Sequence, residues 1–138
     1  MMACKAALFS DTATLEFILE ENTRPETHPR DIKALGGRVT PFDEHTWAEY
    51  RETIVYVGNL CKFGQNEELK KLLLDTGDLI LVEASPSDRI WGIGFREKKA
   101  MEGDNRERWG MNLLGIALMK VRGELVKERG DAEVEPKL

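Results

Sequence analysis

Residues 79–95 read LILVEASPSDRIWGIGF, a stretch that combines an apolar run with a cluster of polar residues. It begins with the short apolar run from Leu79 to Val82, which follows the turn signal Thr76-Gly77-Asp78. A short apolar run bounded by turn signals is typical of a strand that is covered on both faces. The sequence therefore predicts a buried strand at this point.

Polar side chains follow the predicted strand directly. Glu83, Ser85 and Asp88 lie within six positions, and Trp91 comes next, just before a glycine. Burying an unpaired carboxylate is costly, so two carboxylates beside an apolar strand indicate a ligand rather than core packing. The alternative is structural: Glu83 pairs with an arginine, Asp88 caps a turn and Trp91 fills the core.

Length and charge narrow the classes of function. A chain of 138 residues with a formal net charge of -5 predicts one domain, whose partners are small molecules rather than nucleic acid in general. Cys4 and Cys61 lack a C-x-x-C spacing, and no stretch is apolar for long enough to cross a membrane, so we expect a cytoplasmic protein without membrane partners. His28 and His45 have no clustered partners; we expect them at the surface or as helix caps, and we predict no metal and no cofactor.

Apolar residues at intervals of three and four predict a succession of helices. The predicted ranges are Met1–Phe9, Thr12–Glu21 with Ser10 or Asp11 as its cap, Arg30–Leu35, Asp43–Phe63, a helix capped by Asn66 and stopped by Gly77, and Trp109–Glu128. In the longest of them the apolar period assigns Trp47 to the core.

Two segments lack a helical pattern. Residues 96–108 are densely charged and are predicted to form a surface loop, with a mobile lid beside the polar cluster as the alternative. Residues 129–138 are polar and are predicted to form a disordered tail, so the domain is expected to occupy residues 1–128.

Four motifs resemble those of the NADAR family. They are Lys62-Phe63-Gly64-Gln65-Asn66, Thr76-Gly77-Asp78, the run from Glu83 to Gly94, and the run from Trp109 to Gly115. With Lys5-Ala6, Gly37-Arg38-Val39 and Trp47, the resemblance covers about residues 1–126. It implies a mainly helical α+β domain with a small sheet that hydrolyses N-glycosidic bonds. Family members cleave phosphorylated ribosylamino-pyrimidine intermediates of riboflavin synthesis and release ribose 5-phosphate, and some remove ADP-ribose from guanine in nucleic acid.

The expected reaction suggests a role for each polar residue. Cleavage of a ribosylamine bond develops positive charge at the anomeric carbon, and it requires an activated water and a proton for the leaving amine. Asp88 is the candidate for orienting water or stabilising the oxocarbenium ion, and Glu83 for holding ribose hydroxyls or sharing the proton. Trp91 is predicted to stack on the base. The other predicted substrate contacts are Ser85 beside the carboxylates, Lys5, Arg38 and Lys62 for phosphate, and Asn112 for a hydroxyl.

One departure from the family pattern concerns the beginning of the sequence. Family members carry an earlier segment with small strands and a glutamate in a Glu-His/Gln-Tyr setting, and no counterpart precedes Met1-Met2-Ala3. Three functions are therefore open. They are hydrolysis, binding of an ADP-ribose-like or ribose-phosphate ligand without turnover, and an unstable remnant with no activity. The expected partner is a phosphorylated ribosyl compound, or nucleic acid where it carries ADP-ribose.

Overall fold

A computed structural model describes residues 1–102 and 105–134, and over those residues the protein is entirely helical. The helices are α1 (Met2–Leu8), α2 (Thr12–Glu21), α3 (Pro29–Gly36), α4 (Glu44–Gly64), α5 (Glu67–Leu74), α6 (Glu97–Ala100) and α7 (Leu113–Val134), with a 3₁₀ turn at Arg106–Arg108. None of these helices combines the length and the apolar composition that crossing a membrane requires.

The chain divides into two compact units, which we call unit 1 (Met1–Ile54) and unit 2 (Val55–Leu138). The boundary falls inside α4, so each unit contains part of that helix. The predicted domain limits, residues 1–128, stay a prediction.

Unit 1 is built on α1, α2 and α3, which pack against one another. Its buried core consists of Ala6, Ile18, Leu35 and Val39. Each helix contributes an apolar position to this core, and Val39 brings in the connector that follows α3. The apolar spacing in the sequence therefore identifies core positions such as Ala6 and Ile18, although Leu19 of the same pattern is 53% exposed.

Asp11 holds that connector in place. Its Oδ1 accepts a hydrogen bond from the backbone N–H of Thr14 at 3.0 Å, which caps α2, and its Oδ2 accepts one from the N–H of Thr40 at 2.9 Å. The hydrogen bond from Thr40, followed by those from Thr14, lowers the pKa of the Asp11 carboxyl. One buried carboxylate thus links a helix start to a segment 29 residues away.

In unit 2, α5 packs against α7. Leu73 of α5 and Val121 and Leu125 of α7 are buried at the centre. Partly buried apolar side chains surround them, namely Tyr56, Leu60, Phe63, Leu74, Leu81 and Leu118. This core supports one end of the stretch at residues 79–95 through Leu81.

The predicted α+β class and its small sheet are wrong for the described residues, which contain no strand. The segment predicted as a buried strand is extended but mostly exposed: Leu79 is 68% exposed, Ile80 54% and Val82 36%. Only Leu81 of the four joins the core of unit 2. A strand also needs a partner for its backbone groups, and the described chain supplies none. A run of four apolar residues is compatible both with a buried strand and with an exposed extended segment, so it could not distinguish the two.

The helix predictions fared better. Helix α2 has the predicted bounds with Asp11 as its cap, His28 caps α3 by accepting from Arg30 N–H, and Trp47 is 8% exposed as predicted for a core residue. Helix α7 begins at Leu113 rather than Trp109 and continues to Val134. Residues 97–100 and 106–108 are helical within the predicted loop. Gly103, and residues 135–138 of the predicted tail, lie outside the described residues.

Candidate active site

Asp88 organises the loop that carries the polar cluster, residues 83–94, which we call the site loop. Its Oδ1 accepts hydrogen bonds from the backbone N–H groups of Ile90 at 3.0 Å and Trp91 at 2.8 Å. Its backbone carbonyl accepts a third, from Gly94 N–H at 3.1 Å. A carboxylate used in this way mimics a backbone turn and fixes the residues that follow it. The turn-capping role that the sequence left open for Asp88 is therefore present.

The two ends of the site loop meet at Glu83. The Glu83 carbonyl accepts hydrogen bonds from the N–H groups of Ser85 and Ile93, both at 2.9 Å. Gly92 allows this closure, because a Cβ at that position would lie 2.7 Å from the Glu83 carbonyl oxygen and 3.0 Å from that of Asp88. The backbones of Glu83 and Asp88 are thus both held by hydrogen bonds within the site loop.

The start of α7 docks on the site loop. The N–H groups of Leu113 and Leu114, the first two of the helix, each donate at 3.1 Å to the carbonyls of Ile90 and Trp91. The N–H of Met111 donates to the carbonyl of Arg89 at 2.8 Å. Since the first N–H groups of a helix have no partners within it, the loop satisfies donors that would otherwise be orphaned.

Asn112 joins three parts of unit 2. Its buried side chain accepts from the N–H of Glu83 at 3.1 Å and donates to the carbonyl of Leu81 at 2.9 Å. It therefore pairs with the extended segment much as a neighbouring strand would. Asn112 has a positive φ of 52°, and this left-handed conformation delays the start of α7. Both of these hydrogen bonds are to backbone groups, and the predicted contact of Asn112 with a substrate hydroxyl stays a prediction.

The Glu83 carboxylate differs from that of Asp88. Among the described residues of unit 2, it makes no hydrogen bond and no ion pair, so the predicted structural alternative of pairing with an arginine is not observed there. Glu83 and Trp91 are both half-buried. Ser85 is also half-buried, and its Oγ lies 3.4 Å from that of Ser87. Glu83, Ser85, Asp88, Trp91 and Asn112 are thus brought together by one hydrogen-bond network.

The predicted phosphate contacts are divided between the units. Lys62 is exposed in unit 2, with its Nζ 5.5 Å from the centre of the Phe63 ring. Lys5 is in unit 1, where its Nζ donates to the Gly36 carbonyl at 2.9 Å. Arg38 is exposed in unit 1 and lines a depression of about 290 Å³ with Glu21 and Asp31. Two carboxylates beside Arg38 are unfavourable for a phosphate dianion.

Residues 1–126 match the sequence profile of the NADAR domain. The chain belongs to the NADAR family. This match covers both units and includes every predicted site residue.

Curated relatives agree with this membership. The chain is 44% identical over 124 residues to an N-glycosidase of Acanthamoeba polyphaga mimivirus, an alignment that covers 90% of this chain and 70% of the relative. It is 38% identical over 123 residues to protein irg-1 of Caenorhabditis elegans, with 88% and 56% covered. It is also 38% identical over 113 residues to the chloroplastic riboflavin biosynthesis protein PYRR of Arabidopsis thaliana, with 78% and 17% covered.

The names of the relatives agree on a class of enzyme but do not give a common substrate. Further relatives, from Nostoc punctiforme and from Shigella, are also named N-glycosidases. The NADAR chain is therefore classed with hydrolases that act on N-glycosyl bonds. It spans only 55–61% of the length of these further relatives.

Sequence reasoning missed Arg51 of this NADAR domain. Its side chain is 11% exposed, although a charged residue is normally kept in solvent. One signal was available: Arg51 follows Trp47 by four residues in α4, on the face that the apolar period assigns to the core. A cation on that face needs an explanation.

Proposed function

We propose that this protein hydrolyses the N-glycosidic bond of a phosphorylated ribosylamino-pyrimidine and releases ribose 5-phosphate. The observation that carries the proposal is the pair of carboxylates on the site loop. Glu83 is half-buried with an unpaired carboxylate among the described residues of unit 2, while Asp88 is fixed by two backbone N–H groups. A relative that is named a riboflavin biosynthesis protein supports the pyrimidine substrate.

The proposed reaction divides its charge and proton requirements between the two carboxylates. The bond between the anomeric carbon and the amine nitrogen breaks, and its electron pair leaves with the amine. The oxygen of a water molecule bonds to the anomeric carbon, and a proton from that water is transferred to the departing amine nitrogen. Asp88, held rigidly, is the group that faces the developing positive charge or orients the water. Glu83, whose oxygens are not engaged by the protein, is the group that exchanges the proton.

Trp91 is proposed to supply the contact with the base. The ring is half-buried, and its backbone is fixed at both ends: the N–H donates to Asp88 and the carbonyl accepts from Leu114. A rigidly mounted indole offers a flat apolar face to a pyrimidine at low entropic cost. The base would therefore be recognised mainly by shape and stacking.

The direct test is to incubate the protein with the ribosylamino-pyrimidine phosphate and to measure free ribose 5-phosphate by mass spectrometry. We expect release that increases with enzyme concentration. The same samples are followed by thermal melting, because a bound ligand stabilises the folded state. A melting shift without release would replace the proposal with a binding function, and the absence of both would remove the substrate class altogether.

A second candidate is removal of ADP-ribose from guanine in nucleic acid. It is favoured by two contacts between arginines and aromatic rings in unit 2. The Arg106 guanidinium lies 5.8 Å from the centre of the Trp109 ring, and the Arg108 guanidinium lies 5.7 Å from the centre of the Phe95 ring. Exposed arginines among aromatic rings suit the backbone and bases of a single strand. An ADP-ribosylated guanine oligonucleotide, tested in parallel, separates the two: faster release from the oligonucleotide would favour this second function.

A further inference from the structure

The extended segment from Leu79 to Glu83 in unit 2 has the side-chain pattern of a single β-strand without a partner. Its side chains alternate, since those of Ile80 and Val82 are exposed and those of Leu81 and Glu83 are half-buried. An alternation with a period of two is typical of an extended chain with one face in solvent. In such a chain the backbone N–H and C=O groups of successive residues also point to opposite edges.

Helix α7 and the residue before it occupy one edge of this segment. The Arg122 guanidinium donates to the carbonyl of Leu79 at 3.0 Å. The Asn112 side chain donates to the carbonyl of Leu81 at 2.9 Å and accepts from the N–H of Glu83 at 3.1 Å. The backbone groups of the odd-numbered residues therefore face α7, and another strand has no access to them.

The opposite edge, formed by the N–H and C=O groups of Ile80 and Val82, is free. Among the described residues, no hydrogen bond reaches any of these groups. A row of unpaired backbone groups on an exposed extended segment is a template for pairing with another strand. The template is short, because the N–H of Ser85 donates to the carbonyl of Glu83 at 2.9 Å and turns the chain. Leu81 is its midpoint.

We propose that this free edge pairs with the same edge of a second copy of the protein, in an antiparallel two-fold contact centred on Leu81. Ile80 of each copy then lies opposite Val82 of the other, and each such pair exchanges two backbone hydrogen bonds. Every free N–H and C=O of the two edges is used in this way. The contact also places the exposed β-branched side chains of Ile80 and Val82 side by side, which favours pairing.

The symmetry of the edge favours a second copy over a strand from another protein. A two-fold contact is self-complementary when the surface is symmetric about its own midpoint, as this edge is. A register shifted by two residues would place Ile80 or Val82 opposite a turn and leave its backbone groups unpaired. In the proposed register Glu83 lies opposite Leu79, and Asp78 lies opposite Ala84, so no like charges face each other.

The small size of the contact sets the expected affinity. Pairing of five residues buries less than the roughly 1,200 Å² of a standard interface, and contacts below that size are weak or transient. We therefore expect a reversible dimer with a dissociation constant between about 10 µM and 1 mM. Sedimentation equilibrium of the full chain from about 5 µM to 1 mM measures it.

Two substitutions test the edge itself. Val82→Pro keeps an apolar side chain but removes one N–H from the free edge, without removing a hydrogen bond among the described residues. Ile80→Lys places a charge on the edge, a common way of blocking strand pairing. Each should weaken dimerisation at least about tenfold. Leu72→Lys is the matched control, because Leu72 is 65% exposed in α5 of the same unit and lies outside the segment. Its dissociation constant should equal that of the parent.

Hydrogen exchange of the parent tests the register without any variant having to fold. At about 1 mM protein at least half of the chains are paired, so the Ile80 and Val82 amides should exchange at least about twofold more slowly than in dilute protein. The Leu81 amide, on the other edge, should exchange at the same rate in both samples. A monomeric parent throughout this range would overturn the proposal and leave the edge to a strand of another protein. A dimer that leaves the Ile80 and Val82 amides unprotected, or that forms equally well in Val82→Pro, would overturn it as well.

Discussion

The two units use their polar side chains in parallel ways. In each unit one buried side chain fixes a distant segment: Asp11 accepts one hydrogen bond from Thr40 in unit 1, and Asn112 makes two with residues 81–83 in unit 2. Among the described residues, each unit also contains a charged group that its own residues leave poorly paired or unpaired, Arg51 in unit 1 and Glu83 in unit 2.

The difference between the fully hydrogen-bonded side chains and the poorly paired ones separates stability from function. A side chain whose polar atoms are all engaged by backbone contributes to stability and has little capacity left for a ligand. A half-buried or buried charge without a proper partner reduces stability, and its presence indicates a ligand that supplies the missing partner. Replacing the first kind should therefore alter unfolding, and replacing the second should alter turnover or binding.

The largest effect is expected for Glu83→Gln. Turnover should fall about 10²- to 10⁴-fold, the range for one acid-base group, whereas the free energy of unfolding should change by less than about 0.5 kcal/mol, because no partner is lost. Single-turnover release of ribose 5-phosphate and urea unfolding measure the two quantities. Glu68→Gln, an exposed carboxylate in unit 2, is the control and should leave both unchanged. Full turnover in Glu83→Gln would remove Glu83 from the mechanism.

Asn112→Ala should show the opposite balance. It leaves the N–H of Glu83 and the carbonyl of Leu81 without partners and places alanine at a positive φ, at a total cost of about 2 to 4 kcal/mol. Urea unfolding at constant pH is the measurement. Asn59→Ala is the control: among the described residues its side chain donates one hydrogen bond, to the Val55 carbonyl in its own helix, and the loss of that bond should be nearly neutral. Equal midpoints for the two variants would show that Asn112 does not hold the extended segment.

Asp88 tests whether one residue serves both purposes. Only its Oδ1 accepts hydrogen bonds among the described residues, so Asp88→Asn keeps an acceptor while Asp88→Ala loses two bonds, at a cost of about 1 to 2 kcal/mol. We expect the asparagine variant to unfold within about 0.5 kcal/mol of the parent yet to release ribose 5-phosphate at least about a hundredfold more slowly. A stable asparagine variant with normal turnover would leave Asp88 with the loop-building role alone.

Local patterns in the sequence were sufficient for most of the helices but not for the contacts between distant segments. Helix α2 and its Asp11 cap follow from apolar spacing and from a residue type that accepts from the first turn, both of which are local. The side-chain contacts of Asn112 join residues 29 and 31 positions apart, and no local pattern encodes them. The strand prediction failed for the same reason, because a short apolar run does not reveal whether a partner strand exists.

The smallest expected effect concerns Asp11 and is a matter of pH. Because hydrogen bonds from Thr40 and Thr14 lower the pKa of Asp11 in the folded state, the folded protein binds the Asp11 proton less readily than the unfolded chain. The resulting stabilisation is complete above the unfolded value of about 3.9 and is lost as the pH falls through the lower folded pKa. Asp11→Asn should lower the urea midpoint near neutral pH. The two carboxylate oxygens of Asp11 accept from the N–H groups of Thr14 and Thr40, and an asparagine would face one of those N–H groups with its own NH₂ group, which cannot accept. It should also reduce the dependence of that midpoint on pH in the acid range.

Asp43 is the matched control: the side chain and backbone of Thr46 lower its pKa too, but only its Oδ1 accepts from the Thr46 N–H. Asp43→Asn should therefore retain the neutral-pH midpoint while losing part of the acid dependence. A midpoint for Asp11→Asn that matches the parent at neutral pH would show that Asp11 does not hold the connector of unit 1.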